Sequence, residues 1–188
     1  MSQPRIVVAL CGRKRCGKDT VASFLMAEHG FEHHKLAQQL KDGLCCFFGF
    51  THDQVEGPAK DNVDERWGIT PRQAMQWLGT EVMQFQLQAL LPDIGRDFWA
   101  TQLAHRIATS GARRAVVSDM RFVHEHAVLK RHFGDDLVSV RIERADAPDD
   151  DAHISEREAH DIPCDIVISN DDTVQALHVK VAEFIKSA

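Results

Sequence analysis

The sequence predicts an α/β fold, a parallel sheet of about five strands with helices on both faces. Short apolar runs rich in β-branched residues, such as 6–10 and 115–117, read as strands buried on both sides. They alternate with segments whose apolar residues recur at helical spacing, an order that calls for helix layers around a parallel sheet. No linker divides the 188 residues, a length that suits one domain with a sizeable core.

Taken in order, the first strand (6–10) runs into a glycine-rich turn at 12–20. A helix follows, with Val21, Phe24 and Leu25 on one face and Gly30 as its stop. Residues 31–36 predict a second strand and 41–50 a short helix. Residues 51–70 are polar, contain Gly57-Pro58, and read as a loop or small insertion. Thr70 caps the next helix, Pro71 suits its first position, and Gln73 completes a capping box. Met75, Leu78, Val82, Phe85 and Ala89 predict one continuous buried face, ended at Leu91-Pro92. A further helix runs from about Asp97 to Gly111. Residues 115–119 are a strand ending in a carboxylate, and Phe122, His126, Leu129 and Phe133 mark a helix closed by Gly134. Residues 137–142 and 166–168 are the last strands, and Val174, Leu177, Val181, Phe184 and Ile185 mark the C-terminal helix. The polar stretches 51–70 and 143–161 read as flaps on the one domain.

Composition narrows the partners. A net charge of -6 argues against a broad surface for a nucleic acid polymer and favours a small anion held by a few placed cations. Five cysteines without a C-x-x-C pair suggest free thiols in a reducing cytoplasm. MSQPR lacks a signal-peptide layout, and residues 6–10 are too short to span a bilayer, so no membrane partner is expected. A homodimer is left open.

The chemistry concentrates in Gly12-Arg-Lys-Arg-Cys-Gly-Lys-Asp-Thr20. Gly12-x4-Gly17-Lys18 between a strand and a helix is the setting of a phosphate-binding loop. Its glycines let the backbone curl round an oxyanion, and amides at the helix start point inward. Lys18 would reach the β- and γ-phosphates of a triphosphate. Lys14 and Arg15 add cations, Cys16 is a small filler, and Thr20 closes the loop. The residue after the lysine is Asp19 where Ser or Thr is usual. It reads either as a magnesium ligand or as a carboxylate set against the helix dipole. Asp119 falls at the carboxyl end of its strand, where ligands gather, and could hold magnesium or orient an acceptor. Arg121 could clamp a phosphate, or pair with Asp119 at the surface.

GRKRCGKDT resembles the loop of bacteriophage deoxynucleoside monophosphate kinases, including the Asp after the lysine. KLAQQLKD (35–42), PRQAMQWLGTEV (71–82), DFWATQLA (97–104), VVSDMR (116–121), HISE (153–156) and DIVISNDDT (165–173) are similar in the same order. The resemblance implies a three-layer P-loop kinase fold with strand order 2-3-1-4-5. It implies ATP as co-substrate with Mg2+, a small-molecule nucleotide acceptor, and an acceptor-site insertion at about 37–110. There Lys41, Arg72 and Trp77, with Asp119, are the acceptor candidates; Trp77 and Phe98 fit either base stacking or core filling. The stretch before Pro71 is shorter than in the phage enzymes, so base preference does not carry over. Animal-type phosphomevalonate kinases share a similar loop and S-D-x-R segment, and the R-x-x-M-Q-x-L-G-T match favours the nucleotide kinase.

Residues 143–161 would then be the lid that keeps water from the transferring phosphate. It is acidic, with Arg144 and Arg157 as its cations, and His153 would bond within it. Lys18, Arg15 and Arg121 are the catalytic candidates, and no general base is needed because a phosphate oxygen is already a nucleophile. A GTPase switch is disfavoured, since neither N-K-x-D nor D-x-x-G occurs. A kinase acting on modified bases in phage DNA would need a basic groove that the composition does not advertise.

Overall fold

A computed structural model describes residues 6–146 and 160–187. They fall into two compact units, one of residues 1–35 with 100–188 and one of 36–99.

The first unit is built on a five-stranded, all-parallel sheet in the order β2-β3-β1-β4-β5. The strands are β1 (Ile6–Cys11), β2 (Glu32–His34), β3 (Arg114–Val117), β4 (Leu137–Glu143) and β5 (Ile166–Ser169). β1 is central because both its faces are apolar: Val7 to Cys11 are fully buried. It pairs Val8 with Val116 on one side and Val138 on the other. Helices α1 (Lys18–His29) and α7 (Val174–Ser187) share a core with β1, β4 and β5. Val21, Leu25, Leu177 and Val181 meet Val8, Leu10, Val140 and Ile168 there, each burial stabilising by about 1.5–3 kcal/mol. α5 (Phe98–Ser110) supplies Leu103, Ala104 and Ile107, and α6 (Val123–Phe133) supplies Val128, Leu129 and Phe133, all buried. Gly30 ends α1 in the left-handed conformation, and its amide reaches back to the Leu25 carbonyl.

The second unit holds α2 (Gln38–Phe48), α3 (His52–Glu56) and α4 (Pro71–Gln76) around Leu44, Phe50, Val55 and Ala74. The capping box at Thr70 and Gln73 forms as expected, with Pro71 leading the helix. Residues 51–70 are more ordered than their polarity suggests. Thr51 and Gln54 make a second capping box, which nucleates α3. Asp64 then accepts from Arg66 Nε at 2.9 Å and from Gln54 Nε2 at 3.1 Å, fixing the turn up to Ile69. The Arg66 guanidinium holds the Asp64 carboxyl well below the usual carboxylate range.

The predicted continuous helix over 75–89 is a correction. α4 stops at Gln76, and Trp77–Phe85 winds as a π-helix before a 3-10 turn at Gln86–Ala89. Gly79 packs so closely on Leu40 that an added Cβ would lie 2.7 Å from Leu40 Cδ2, and its carbonyl accepts from Trp99 Nε1 at 2.9 Å. The wider winding re-aims the side chains, so Phe85 and Ala89 are exposed rather than on a buried face. Trp77 is 53% exposed, which removes the core-filling reading for it.

Candidate active site

The turn from β1 to α1 is shaped by three left-handed residues. Gly12 has φ +131° and Gly17 has φ +110°. A Cβ on Gly12 would collide with the Ile142 carbonyl, and one on Gly17 would lie 2.5 Å from Asn170 Nδ2. Both positions therefore demand glycine. Arg15, at φ 64°, is the one non-glycine residue with positive φ among the described residues. Such a conformation costs of order 1 kcal/mol and gathers at functional sites.

Lys18 opens α1 and its ammonium lies back over the turn, donating to the carbonyls of Gly12 at 2.6 Å and Arg13 at 2.7 Å. The charge is thus held over the mouth of the turn. Gly17 caps α1 with no side-chain acceptor, leaving the amides of the first helical turn to a ligand. Lys14 and Arg15 are exposed, and Asp19 is exposed in the first turn of α1 next to half-buried Thr20. Cys16 is buried, and burial pushes its thiol up against the pull of Lys18.

Asn170, just past β5, donates from Nδ2 to the Cys16 carbonyl at 2.8 Å, while its own amide donates to Glu143 at 2.7 Å. It ties the turn to the ends of β4 and β5. The sequence reading missed this residue, although it lies inside DIVISNDDT.

Asp119 is half-buried two residues beyond β3, and Arg121 is exposed. The Arg121 and Phe122 amides donate to the buried Glu125 carboxyl at 2.7 and 3.0 Å. Burial pushes Glu125 up to about 8, against those two amides. At the end of β2, His33 Nε2 lies 2.7 Å from Ser118 Oγ. Burial and then Lys35 lower the His33 pKa, while Asp119 and Asp19 raise it. His33 was not legible, because β2 is three residues long and partly polar, whereas Ser118 was read as part of the S-D-x-R segment.

A cavity of about 380 Å³ opens beside the turn. Gly12, Arg13, Arg144, His160 and Asp171 are among the residues that line it. Arg13 Nε lies 3.1 Å from His160 Nε2, and Asp171 accepts from the Ala145 amide at 2.7 Å. Of the lid calls, Arg144 thus borders this cavity, while Arg157, His153 and the span 147–159 lie outside the described residues.

The acceptor candidates on the second unit are engaged locally. Lys41 pairs with Glu56 at 2.7 Å, and Arg72 makes a two-point ion pair with Asp61. Among the described residues no group of three or more His, Cys, Asp or Glu side chains is placed to hold a metal. Magnesium bound mainly by phosphate oxygens and water needs fewer protein ligands, and Asp19 and Asp119 carry the kind of oxygen it prefers. No described helix is long and apolar enough to cross a membrane.

The sequence model of the deoxynucleotide monophosphate kinase family matches residues 6–59 and 50–181. A protein of Acanthamoeba polyphaga mimivirus, described as a candidate deoxynucleotide monophosphate kinase, is 29% identical over 191 residues, covering 97% of each chain. Among solved structures, shikimate kinase of Aquifex aeolicus superposes with a TM-score of 0.52 at 13% identity, covering 97% of each chain. The APS kinase CysC of Mycobacterium tuberculosis gives 0.50 at 14% identity, covering 98% of this chain and 99% of that one. At such identities these two likenesses speak for the fold alone.

Proposed function

The chain belongs to the deoxynucleotide monophosphate kinase family, and from that premise we propose which of its residues carry the reaction. It is a nucleotide kinase, a phosphotransferase that converts a nucleoside monophosphate to the diphosphate. The donor is ATP, and its phosphates lie in the turn Gly12–Thr20. The observation that carries this reading is the turn itself: two glycines and Arg15 in left-handed conformations, a helix start without a side-chain cap, and the Lys18 ammonium above it.

In this scheme Lys18 exchanges the Gly12 and Arg13 carbonyls for the β- and γ-phosphates. Arg15 and Lys14 neutralise the outer oxygens, and Arg121 reaches the moving group. Phosphoryl transfer needs alignment and positive charge around the equatorial oxygens, and little else from the protein. Magnesium, held by Asp19 and Asp119, would supply further positive charge to the phosphates when bound. Arg144 and Arg157 belong to the segment that excludes water. On the second unit, Arg72 would exchange Asp61 for the acceptor phosphate, Lys41 would exchange Glu56 as a second cation, and exposed Trp77 offers a face to a base. The free thiols fit a cytoplasmic setting.

The test is a panel of deoxynucleoside and nucleoside monophosphates, with phosphomevalonate as a control, each incubated with Mg-ATP and scored by ADP release and product mass. Turnover of one or more monophosphates supports the assignment. Activity on phosphomevalonate alone overturns it.

A further inference from the structure

Cys11 and Cys164 are 153 residues apart in sequence, yet their sulfurs lie 3.2 Å apart. Cys11 ends β1, is fully buried, and directly precedes Gly12. Cys164 is half-buried in the segment leading to β5. Arg141, the register partner of Cys11 on β4, donates to the carbonyls of Ile162 at 2.7 Å and His160 at 2.9 Å. It therefore pins the segment that carries Cys164 and sets a guanidinium beside both sulfurs.

The two thiols are made unequal by this setting. The contact with Cys11 and then Arg141 pull Cys164 down to about 7. Cys11 is pushed up, by its bond to Cys164 and by burial. Cys164 is thus the more easily ionised of the two thiols, while its neighbour keeps its proton. The other three cysteines lack this arrangement. Cys16 and Cys45 are pushed up, chiefly by burial, and Cys46 is exposed next to Cys45.

We propose that Cys11 and Cys164 are an oxidation site, a thiol pair that hydrogen peroxide closes into an intramolecular disulfide. The Cys164 thiolate attacks one peroxide oxygen, forming an S–O bond and breaking O–O; the hydroxide released takes up a proton as water. Cys11 then loses its proton and attacks the sulfenic sulfur, forming S–S and expelling the second hydroxide, which becomes water. Two electrons pass from the thiols to the peroxide. The sulfurs must close by roughly 1.2 Å, from 3.2 Å to the ~2.0 Å of a disulfide. The bond would tie the residue before the phosphate turn to the segment that carries His160. The pairing depends on sulfur geometry and stands apart from the kinase reading.

The test treats the full chain with hydrogen peroxide, blocks remaining thiols with iodoacetamide, and maps peptides without reduction. The expected result is a Cys11–Cys164 cross-linked peptide, lighter by two hydrogens than the sum of its parts and released by dithiothreitol. Cys164→Ser abolishes it. Cys11→Ser leaves a Cys164 sulfenic acid that dimedone traps. If Cys11→Ser does not fold, the wild-type map and Cys164→Ser, at a half-exposed position, decide alone. Oxidation confined to Cys45 and Cys46, or Cys164 oxidised in the wild type without a cross-link, overturns the proposal.

Discussion

Replacing Asn170 isolates how much of the donor site depends on support from outside its own loop. The Asn170 amide makes one side-chain hydrogen bond to the loop, at 2.8 Å to the Cys16 carbonyl, and fills the space against Gly17. In Asn170→Ala that carbonyl loses its partner in a half-buried place. A hydrogen bond of this kind contributes about 1 ± 0.5 kcal/mol. If the loss falls on the bound loop conformation, ATP affinity drops by roughly 2–13-fold, since about 1.4 kcal/mol is tenfold. Asn170→Asp should be worse, because a carboxylate oxygen would face the Cys16 carbonyl and add negative charge near the phosphates. The assay is calorimetric ATP binding together with kcat and KM for both substrates. The expected result is a raised ATP Kd and KM with the acceptor KM unchanged. An Asn170→Ala variant of full stability whose ATP Kd stays within twofold of wild type would refute it. The two glycines and Arg15 would then hold the turn unaided.

Other perturbations separate the remaining roles. Lys18→Ala should lower turnover by at least ~100-fold while leaving the melting temperature nearly unchanged, the scale of losing one contact to developing charge; steady-state kinetics beside a thermal melt checks it. Arg72→Ala should raise the acceptor KM by about tenfold or more with the ATP KM constant, and Arg72→Lys should restore only part, because the guanidinium fork is lost. Burial pushes Glu125 up from the ordinary 4.5 to about 8, so between those values the native state holds a proton that the unfolded chain has released. Its contribution to stability therefore falls as pH rises through that window and is level above it. The stability difference between wild type and Glu125→Gln should shrink or reverse from pH 5 to pH 8 in denaturant titrations, and an unchanged difference would mean that the two amides keep the carboxylate ionised throughout.

What could be read from the chain, and what could not, follows the range of the forces involved. β1 and its glycine turn were legible because strand, turn and helix start are one contiguous stretch, where φ demands and hydrophobic period act locally. The capping box at Thr70 was legible for the same reason. The π-helix at Trp77–Phe85 was not, because the cause sits across the second unit, in the Leu40 side chain against Gly79 and the Trp99 indole on its carbonyl. A regular 3.6-residue pattern runs straight through a place where tertiary contact rewinds the backbone. Asn170 failed to stand out in the same way. It is one polar residue in a polar loop until β5 carries it to the Cys16 carbonyl, 154 positions away in sequence. The glycine turn can thus be read from its own residues, yet one hydrogen bond that holds it comes from the far end of the chain. Mutations past β5 should therefore register in ATP affinity before they register in acceptor affinity.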